Sequence, residues 1–297
     1  MATVLKRIEI GLVNNMPKAA REATTRQFRG LLDAARAPAP HLRLFTLSEN
    51  YDNNPDYAPV EDIFESGVDA LIFTGTEPTK ADLRDEPYWP KLTELLDWTA
   101  ENGVPAIFSC LAAHAAALHW DGIARRPLAE KCFGVFEEAM SEGHPLLRGV
   151  SGALRIPHSR WNELSVRDLT ETGYQVVTAS PAAGADICVR EGRGRGRGMS
   201  VFFQGHPEYE ADRLLLEYRR DARRYIAGSR PTYPNLPRGY FDQPTESRLV
   251  QFQDSVMRGE RDIDFPAEIA APPIASWRPK AEGVLRNWLH YVHERKS

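Results

Sequence analysis

Between Ile8 and Leu118 the chain alternates short apolar runs with helical stretches, and this alternation limits its fold more than any other feature. Ile8-Glu9-Ile10-Gly11-Leu12-Val13 reads as a first strand, followed by the loop Asn14-Asn15-Met16-Pro17 and a helix carrying Thr24 to Ala35. Leu42 to Leu47 and Asp69 to Thr74 read as two further strands, the latter ending in the loop Gly75-Thr76-Glu77-Pro78-Thr79. A helix from Trp89 to Asn102 carries Leu92, Leu95, Leu96 and Trp98 on its apolar side and is closed by Gly103. Strands that alternate with helices in this way imply an α/β fold, a three-layer arrangement around a mostly parallel sheet.

The next strand, Val104 to Ser109, runs into Cys110 and then into the small-residue helix Leu111-Ala112-Ala113-His114-Ala115-Ala116-Ala117-Leu118. This is the pattern of a nucleophile elbow, in which a sharp turn lifts one side chain above the sheet edge. A thiol there faces the positive end of the helix dipole, and a nearby histidinium would favour its thiolate further. A partner stands at the end of another apolar strand, in Met199-Ser200-Val201-Phe202-Phe203-Gln204-Gly205-His206-Pro207-Glu208-Tyr209. His206 supplies a group that can take and return protons, and Glu208, two residues on, can hold its ring in one tautomer. A buried cysteine is ordinarily a small hydrophobe, and a histidine ordinarily a core or surface residue. The conjunction is more informative, because both groups end strands at the carboxyl edge of the sheet, where open α/β folds keep their sites.

After Gly134 the sequence changes to short strands with polar connections, read as an antiparallel extension through Leu154-Arg155-Ile156, Tyr174 to Val177 and Ile187-Cys188-Val189. The Gly-Arg run from Gly192 to Gly198 reads as a hairpin tip. A charged helix follows from Tyr209 to Ala227, then an irregular Pro-rich segment over 229–280 with a short helix from Arg248 to Arg258 inside it and a linker from Asp264 to Pro273. A closing helix, Ala281 to His293, completes a C-terminal helical region, and the 297 residues read as one domain. A formal charge of −4 argues against nucleic acid as a partner. No apolar run is long enough to span a bilayer, and the first residues lack the core of a signal peptide, so the expectation is a cytoplasmic protein. Cys110, Cys132 and Cys188 form neither a disulfide framework nor a spaced metal site.

Several motifs stand along this framework in order: Asn15-Met16-Pro17-Lys18, Thr74-Gly75, Tyr88-Trp89, Cys110, Glu130-Lys131, Phe133 to Phe136, Pro157-His158-Ser159-Arg160, Gly205 to Tyr209, Glu217-Tyr218, Arg220-Asp221, Tyr240-Phe241, Trp277-Arg278 and Asn287-Trp288-Leu289. With them the chain resembles the homoserine O-acyltransferase family, usually called homoserine O-succinyltransferase, which is related to the class I glutamine amidotransferases. The resemblance implies a glutamine amidotransferase-like fold and a ping-pong acyl transfer from an acyl-coenzyme A, succinyl or acetyl, through a thioester on Cys110 to the hydroxyl of homoserine or a similar amino acid. His206 would act as base and Glu208 would orient it. The backbone N–H groups of Leu111 and of the Gly75-Thr76 loop would hold the oxyanion. By position, Arg220 would grip the acceptor's carboxylate, with Lys131, Ser159 and Thr79 lining the site. No metal or resident cofactor is implied. The partners are small molecules, and a homodimer is left open.

The chain also departs from the family's pattern. Leu-Ala-Ala-His follows Cys110 where the family has Trp-Gly-Ala-Gln, and Thr79 stands where succinyl- or acetyl-preferring relatives carry Gly or Glu. Two other readings compete: an amidase of the glutamine amidotransferase type using the same Cys-His-Glu triad, and a binding protein that kept the fold. An intact triad argues against the second of these.

Overall fold

Parallel strands lie at the centre of the structure, a computed structural model that describes residues 7–35, 40–47, 54–192, 197–260, 263–272 and 274–296. Among them are β1 (Ile8–Val13), β2 (Pro40–Thr46), β3 (Tyr57–Pro59), β4 (Ala70–Phe73), β5 (Ala106–Ser109) and, much later in the chain, β12 (Met199–Phe203). They pair in the order β3-β2-β1-β4-β5-β12, and the antiparallel strands β11 (Ile187–Glu191) and β8 (Gln175–Val176) extend the sheet beyond β12. The register aligns Phe73 with Phe108 and Ser109 with Phe203. The strands preceding the Gly75 loop, Cys110 and His206 therefore end side by side at one carboxyl edge.

Both faces of this sheet are covered, which is why β4 and β5 are buried at every position. On one face Phe73, Phe108 and Phe202 pack in a row, with ring centroids 4.8 and 5.1 Å apart, beneath α2 (Trp89–Glu101) and α3 (Leu111–Asp121). On the other, Ile72, Ile107 and Val201 meet α1 (Lys18–Ala35) and α7 (Arg278–Lys296), so the last helix shares a core layer with the first. Full burial of side chains of this size stabilises by about 1.5–3 kcal/mol each. The α/β class and the three layers expected from the alternation are observed.

Of the three stretches read as an antiparallel extension, two, β8 and β11, join the main sheet, and the third lies in a second sheet, in the order β10 (Gly184–Ala185), β9 (Thr178–Ser180), β6 (Arg126–Met140) and β7 (Leu154–Glu163). β6 starts well before Gly134, because its first half is half-exposed and lacks a clean apolar alternation. Gly134 itself has φ 142°, and a Cβ there would overlap the backbone of Arg238, which crosses the strand and exchanges hydrogen bonds with Phe133 and Val135. A side chain at 134 would push that crossing segment off.

Other boundaries also differ from the sequence reading. After α4 (Val166–Glu171), the charged helix α5 is Arg213–Ile226, since Tyr209 lies buried in the preceding turn. α6 spans Gln243–Met257 and starts before Arg248: Asp242 caps it by accepting from the Thr245 N–H at 2.9 Å, and Pro244 sits in its first turn, where a missing N–H costs nothing. The stretch expected to be a linker buries Phe265 and Ile269 against α5 and α6. Of the Gly-Arg run, residues 193–196 lie outside the described residues, while Gly192 donates to the Gly198 carbonyl at the base of the β11–β12 hairpin. No helix among the described residues is long and apolar enough to cross a membrane.

The C-terminal segment reaches back to the site. Trp277, fully buried, donates its indole N–H to the Tyr209 carbonyl at 3.0 Å, and Arg278 donates to the Glu208 carbonyl at 3.0 Å. These two bonds clamp the turn that carries the second half of the Gly-His-Pro-Glu-Tyr motif.

Candidate active site

Cys110 sits between β5 and α3 with φ 51° and ψ −110°, an unfavourable conformation for a residue with a side chain. It is over-determined by its surroundings: the Cys110 N–H continues the sheet by donating to the Phe203 carbonyl at 2.7 Å, while its own carbonyl starts α3 by accepting from Ala113 and His114. The thiol is partly exposed. Phe203 leads through Gln204 and Gly205 to His206, whose N–H donates to the Pro157 carbonyl at 2.8 Å. The structure thus brings together the thiol and imidazole that the sequence placed at two separate strand ends.

His206 Nδ1 lies 2.8 Å from Glu208 Oε1, which leaves Nε2 for the hydrogen bond with Cys110. Burial disfavours a charged imidazole here, but the charges of Cys110 and Glu208 and the hydrogen bonds to both outweigh it and push His206 up to about 10. A charged imidazolium beside the sulfur is what favours a thiolate. Tyr209 stacks under the His206 ring, centroids 4.2 Å apart and planes 14° from parallel, so the ring is fixed from below as well as from Glu208. Glu208 is buried.

Across the edge, Gly75 approaches the elbow so closely that a Cβ on it would lie 2.9 Å from the Leu111 nitrogen and 3.2 Å from the Ser109 carbonyl oxygen. Leu111 is the first residue of α3, so its N–H has no partner within the helix. Asn15, Thr74, Gly75, Thr76, Tyr88 and Leu111 line a recess at this point. Thr74 holds the loop in place by accepting from the Asn15 N–H at 2.9 Å. Thr79 is exposed, and both its amide and its hydroxyl are bound by the buried carboxylate of Glu86.

A charged network continues from the histidine. The Tyr209 hydroxyl donates to Glu217 Oε1 at 2.8 Å, Ser159 donates to Glu217 Oε2 at 2.5 Å, and Lys131 Nζ lies 3.5 Å from the same oxygen and 3.7 Å from Asp221. Arg213, Arg220 and Arg230 also converge on these two buried carboxylates, Arg220 through Nε to Asp221 at 2.8 Å. Burial raises the Glu217 carboxyl, but Lys131, Arg213 and the two hydroxyls prevail and pull it down to about 2. Arg220 is half-exposed, and the nearby charges of Asp221, Glu217 and Glu77 favour its charged form. Lys131, Ser159 and Arg220, expected in the site by position, are therefore joined in one cluster, and Glu217 and Asp221 organise it. The sequence reading gave those two acids no role. The available signal was their position on the apolar face of α5, in step with Leu214, Tyr218 and Ala222.

Behind His206 lies a second group that the sequence did not announce. Glu138, His158 and Asp186 are completely buried, with their polar atoms within 4.8 Å of one another. His158 Nε2 is 3.3 Å from Glu138 and 3.9 Å from Asp186, and Asp186 accepts the Gly205 N–H at 2.6 Å. His114, one turn after Cys110, is also buried, and its Nε2 meets Gln204 at 3.2 Å. Burial brings His114 down to about 3, so it is a neutral strut between α3 and β12.

Comparison with known proteins agrees with this architecture. The sequence model of the family described as homoserine O-succinyltransferase matches residues 2–297. A homoserine O-succinyltransferase of Methylorubrum extorquens is 44% identical over 305 residues, covering 98% of this chain and 89% of its own. One of Rhodopseudomonas palustris is 43% identical, covering 95% and 87%. Among solved structures, a glutamine amido transferase from Methylobacillus flagellatus superposes with a TM-score of 0.54 at 16% identity, covering 96% of this chain and 95% of its own. A glutamine amidotransferase from Thermotoga maritima gives 0.51 at 13%, covering 97% and 98%. At such identities the structural likeness is one of fold.

Proposed function

The chain belongs to the homoserine O-succinyltransferase family, whose members are acyltransferases, and from that premise we propose that it moves a succinyl or acetyl group from an acyl-coenzyme A to homoserine through a thioester on Cys110. The observation that carries this reading is the bond between His206 Nδ1 and Glu208 at 2.8 Å, with the other face of the ring at the sulfur. In the first half-reaction the Cys110 thiolate attacks the thioester carbonyl. The bond from carbon to the coenzyme A sulfur breaks, and His206 Nε2–H protonates the departing thiolate. In the second, the homoserine hydroxyl gives its proton to Nε2 while its oxygen attacks the acyl carbon, and Cys110 leaves as the thiolate.

Both tetrahedral intermediates carry an oxyanion. The Leu111 N–H and an N–H of the Gly75-Thr76 loop are the donors we assign to it, each commonly worth about 10²–10³ in rate. Glu208 stabilises the imidazolium formed in the second step. Arg220, half-exposed on α5, presents a forked donor for the acceptor's carboxylate, with Lys131 and Ser159 held near it by Glu217. Thr79, bound to Glu86, shapes the loop on which the acyl chain rests. Three free cysteines suit a reducing compartment, and we assign the enzyme to the cytoplasm.

Steady-state assays with succinyl- and acetyl-coenzyme A, with homoserine as acceptor, test the reading. Parallel initial-rate lines and release of coenzyme A before acceptor is added support it. Coenzyme A-independent release of ammonia from glutamine would replace it with the amidase alternative.

A further inference from the structure

The buried cluster behind His206 contains two carboxyls, Glu138 and Asp186, with one permanent cation beside them, Arg160. Arg160 also fixes the tautomer of His158. Its Nε–H donates to His158 Nδ1 at 3.4 Å, so Nδ1 holds a lone pair and the imidazole proton is on Nε2, directed at Glu138 Oε1 at 3.3 Å. The remaining guanidinium N–H groups donate to the backbone carbonyls of Asn162 and Ala183. A neutral His158 and one Arg balance a single carboxylate. The second carboxyl therefore has to be protonated, since an unpaired charge in a fully buried site costs several kcal/mol (about, for a real protein interior).

The geometry also tells which one. Burial raises both carboxyls, but Asp186 Oδ1 accepts the Gly205 N–H at 2.6 Å, a bond that favours its ionised form and holds it below Glu138. Among the described residues Glu138 receives only the long bond from neutral His158, and neither Glu138 Oε2 nor Asp186 Oδ2 has a donor. The tautomer also argues against a cation held by this trio, because the lone pair a metal would need at His158 Nε2 is occupied by the proton. The other titratable groups facing the cluster are Cys132, Cys188, His206 and Glu208, and burial raises both cysteines.

The cluster touches the catalytic loop at two points. Asp186 holds Gly205, and Pro157, next to His158, accepts the His206 N–H at 2.8 Å. We propose that Glu138 and Asp186 are positioning residues that share a single proton, held on Glu138, and that this closed His158–Arg160-braced pair keeps His206 in register with the Cys110 elbow. The functional half of this rests on the role given to His206 above. The shared proton does not, and can be read without any reaction.

The test uses the full chain as wild type, Glu138→Gln, Asp186→Asn and the double variant. Glutamine mimics a protonated glutamate, so Glu138→Gln is expected to fold and to discharge acyl-Cys110 to homoserine at the wild-type rate near neutral pH. Asp186→Asn can still offer an oxygen to Gly205, leaving Glu138 as the single carboxylate for Arg160. The double variant strands Arg160 without a carboxylate and is expected to lose more than the two single losses combined. Melting against pH reads the proton directly. With Glu138 raised in the folded state, the unfolded chain binds fewer protons above the ordinary carboxylate range, so wild-type stability falls as pH rises toward the raised value. Glu138→Gln should lack that fall, and its discharge rate should lack the matching alkaline decline. A residue with only a packing role would lower the melting temperature at all pH values and leave the profile unchanged. The proposal is overturned if Glu138→Gln melts with the wild-type pH dependence, if it is as impaired as the double variant, or if a divalent metal copurifies in stoichiometric amount and is lost with Glu138.

Discussion

Gly75→Ala changes one hydrogen to a methyl at the point where the loop after β4 meets the elbow, and its effect can be worked from the contacts. The new Cβ would lie 2.9 Å from the Leu111 nitrogen and 3.2 Å from both Leu111 Cβ and the Ser109 oxygen. Ordinary contact begins near 3.4 Å, so loop and elbow have to part by about 0.5 Å. Two of the three atoms are backbone, one at the end of β5 and one at the start of α3, and neither can rotate away. Overpacking of this kind costs about 1–3 kcal/mol of stability, which leaves most domains folded. The cost to catalysis is larger in relative terms, because the displaced groups are the two proposed oxyanion donors: losing one is worth about 10²–10³ in rate, or about 2.7–4 kcal/mol. Rapid-quench acylation with a saturating acyl-coenzyme A is the assay, with near-ultraviolet circular dichroism to confirm native packing. Both half-reactions should slow together, since both pass through an oxyanion. If a folded Gly75→Ala enzyme acylates Cys110 within about threefold of wild type, the Leu111 and loop N–H groups are not the oxyanion hole.

Three further outcomes follow from the same site. His206→Asn should lower turnover by about 10³-fold or more, while Glu208→Gln, which keeps the base but loses the charge on Nδ1, should cost less, about 10²-fold; equal and small losses would refute the dyad. Arg220→Lys should leave acylation at its normal rate and slow discharge to homoserine by about 10–10²-fold, the loss of one charge-assisted hydrogen bond, as measured by single turnover. Glu217→Gln should lower stability at neutral pH by a contribution on the order of 3 kcal/mol, given a carboxyl held at about 2 in the fold. A depressed carboxyl stabilises above its ordinary range and loses that contribution as pH falls toward the depressed value, so the variant's melting curve should be flatter in that acid window; an unchanged acid dependence would show that Glu217 does not anchor the network.

The framework of this site was legible because parallel strands buried on both faces must be continuous apolar runs, and the two that matter, β5 and β12, end in Cys110 and in Gln204-Gly205-His206. Their adjacency was not written in either run; it arises because the chain returns after the second sheet to pair β12 with β5. β3 went unread because three residues carry no period. The start of α6 was hidden by Pro244, which reads as a breaker until Asp242 is seen to cap the helix. Glu217 and Asp221 stood among the motifs but were given no role, since an acid on an apolar stripe acquires meaning only once its cations, brought from β6 and from beyond α5, are in place. The same holds for Glu138 on β6, His158 on β7 and Asp186 between β10 and β11, which meet only in the folded chain.

The central claim is that the acyl group travels on Cys110, and intact-protein mass spectrometry with peptide mapping tests it most directly. Wild-type protein mixed with succinyl- or acetyl-coenzyme A and quenched in acid should carry one acyl group, mapped to Cys110, and should lose it when homoserine is added. Cys110→Ser should stay unmodified and inactive, whereas Cys132→Ser and Cys188→Ser should acylate and discharge as wild type does. Turnover of either donor by Cys110→Ser at the wild-type rate, or an adduct mapped to any other residue, would contradict the account.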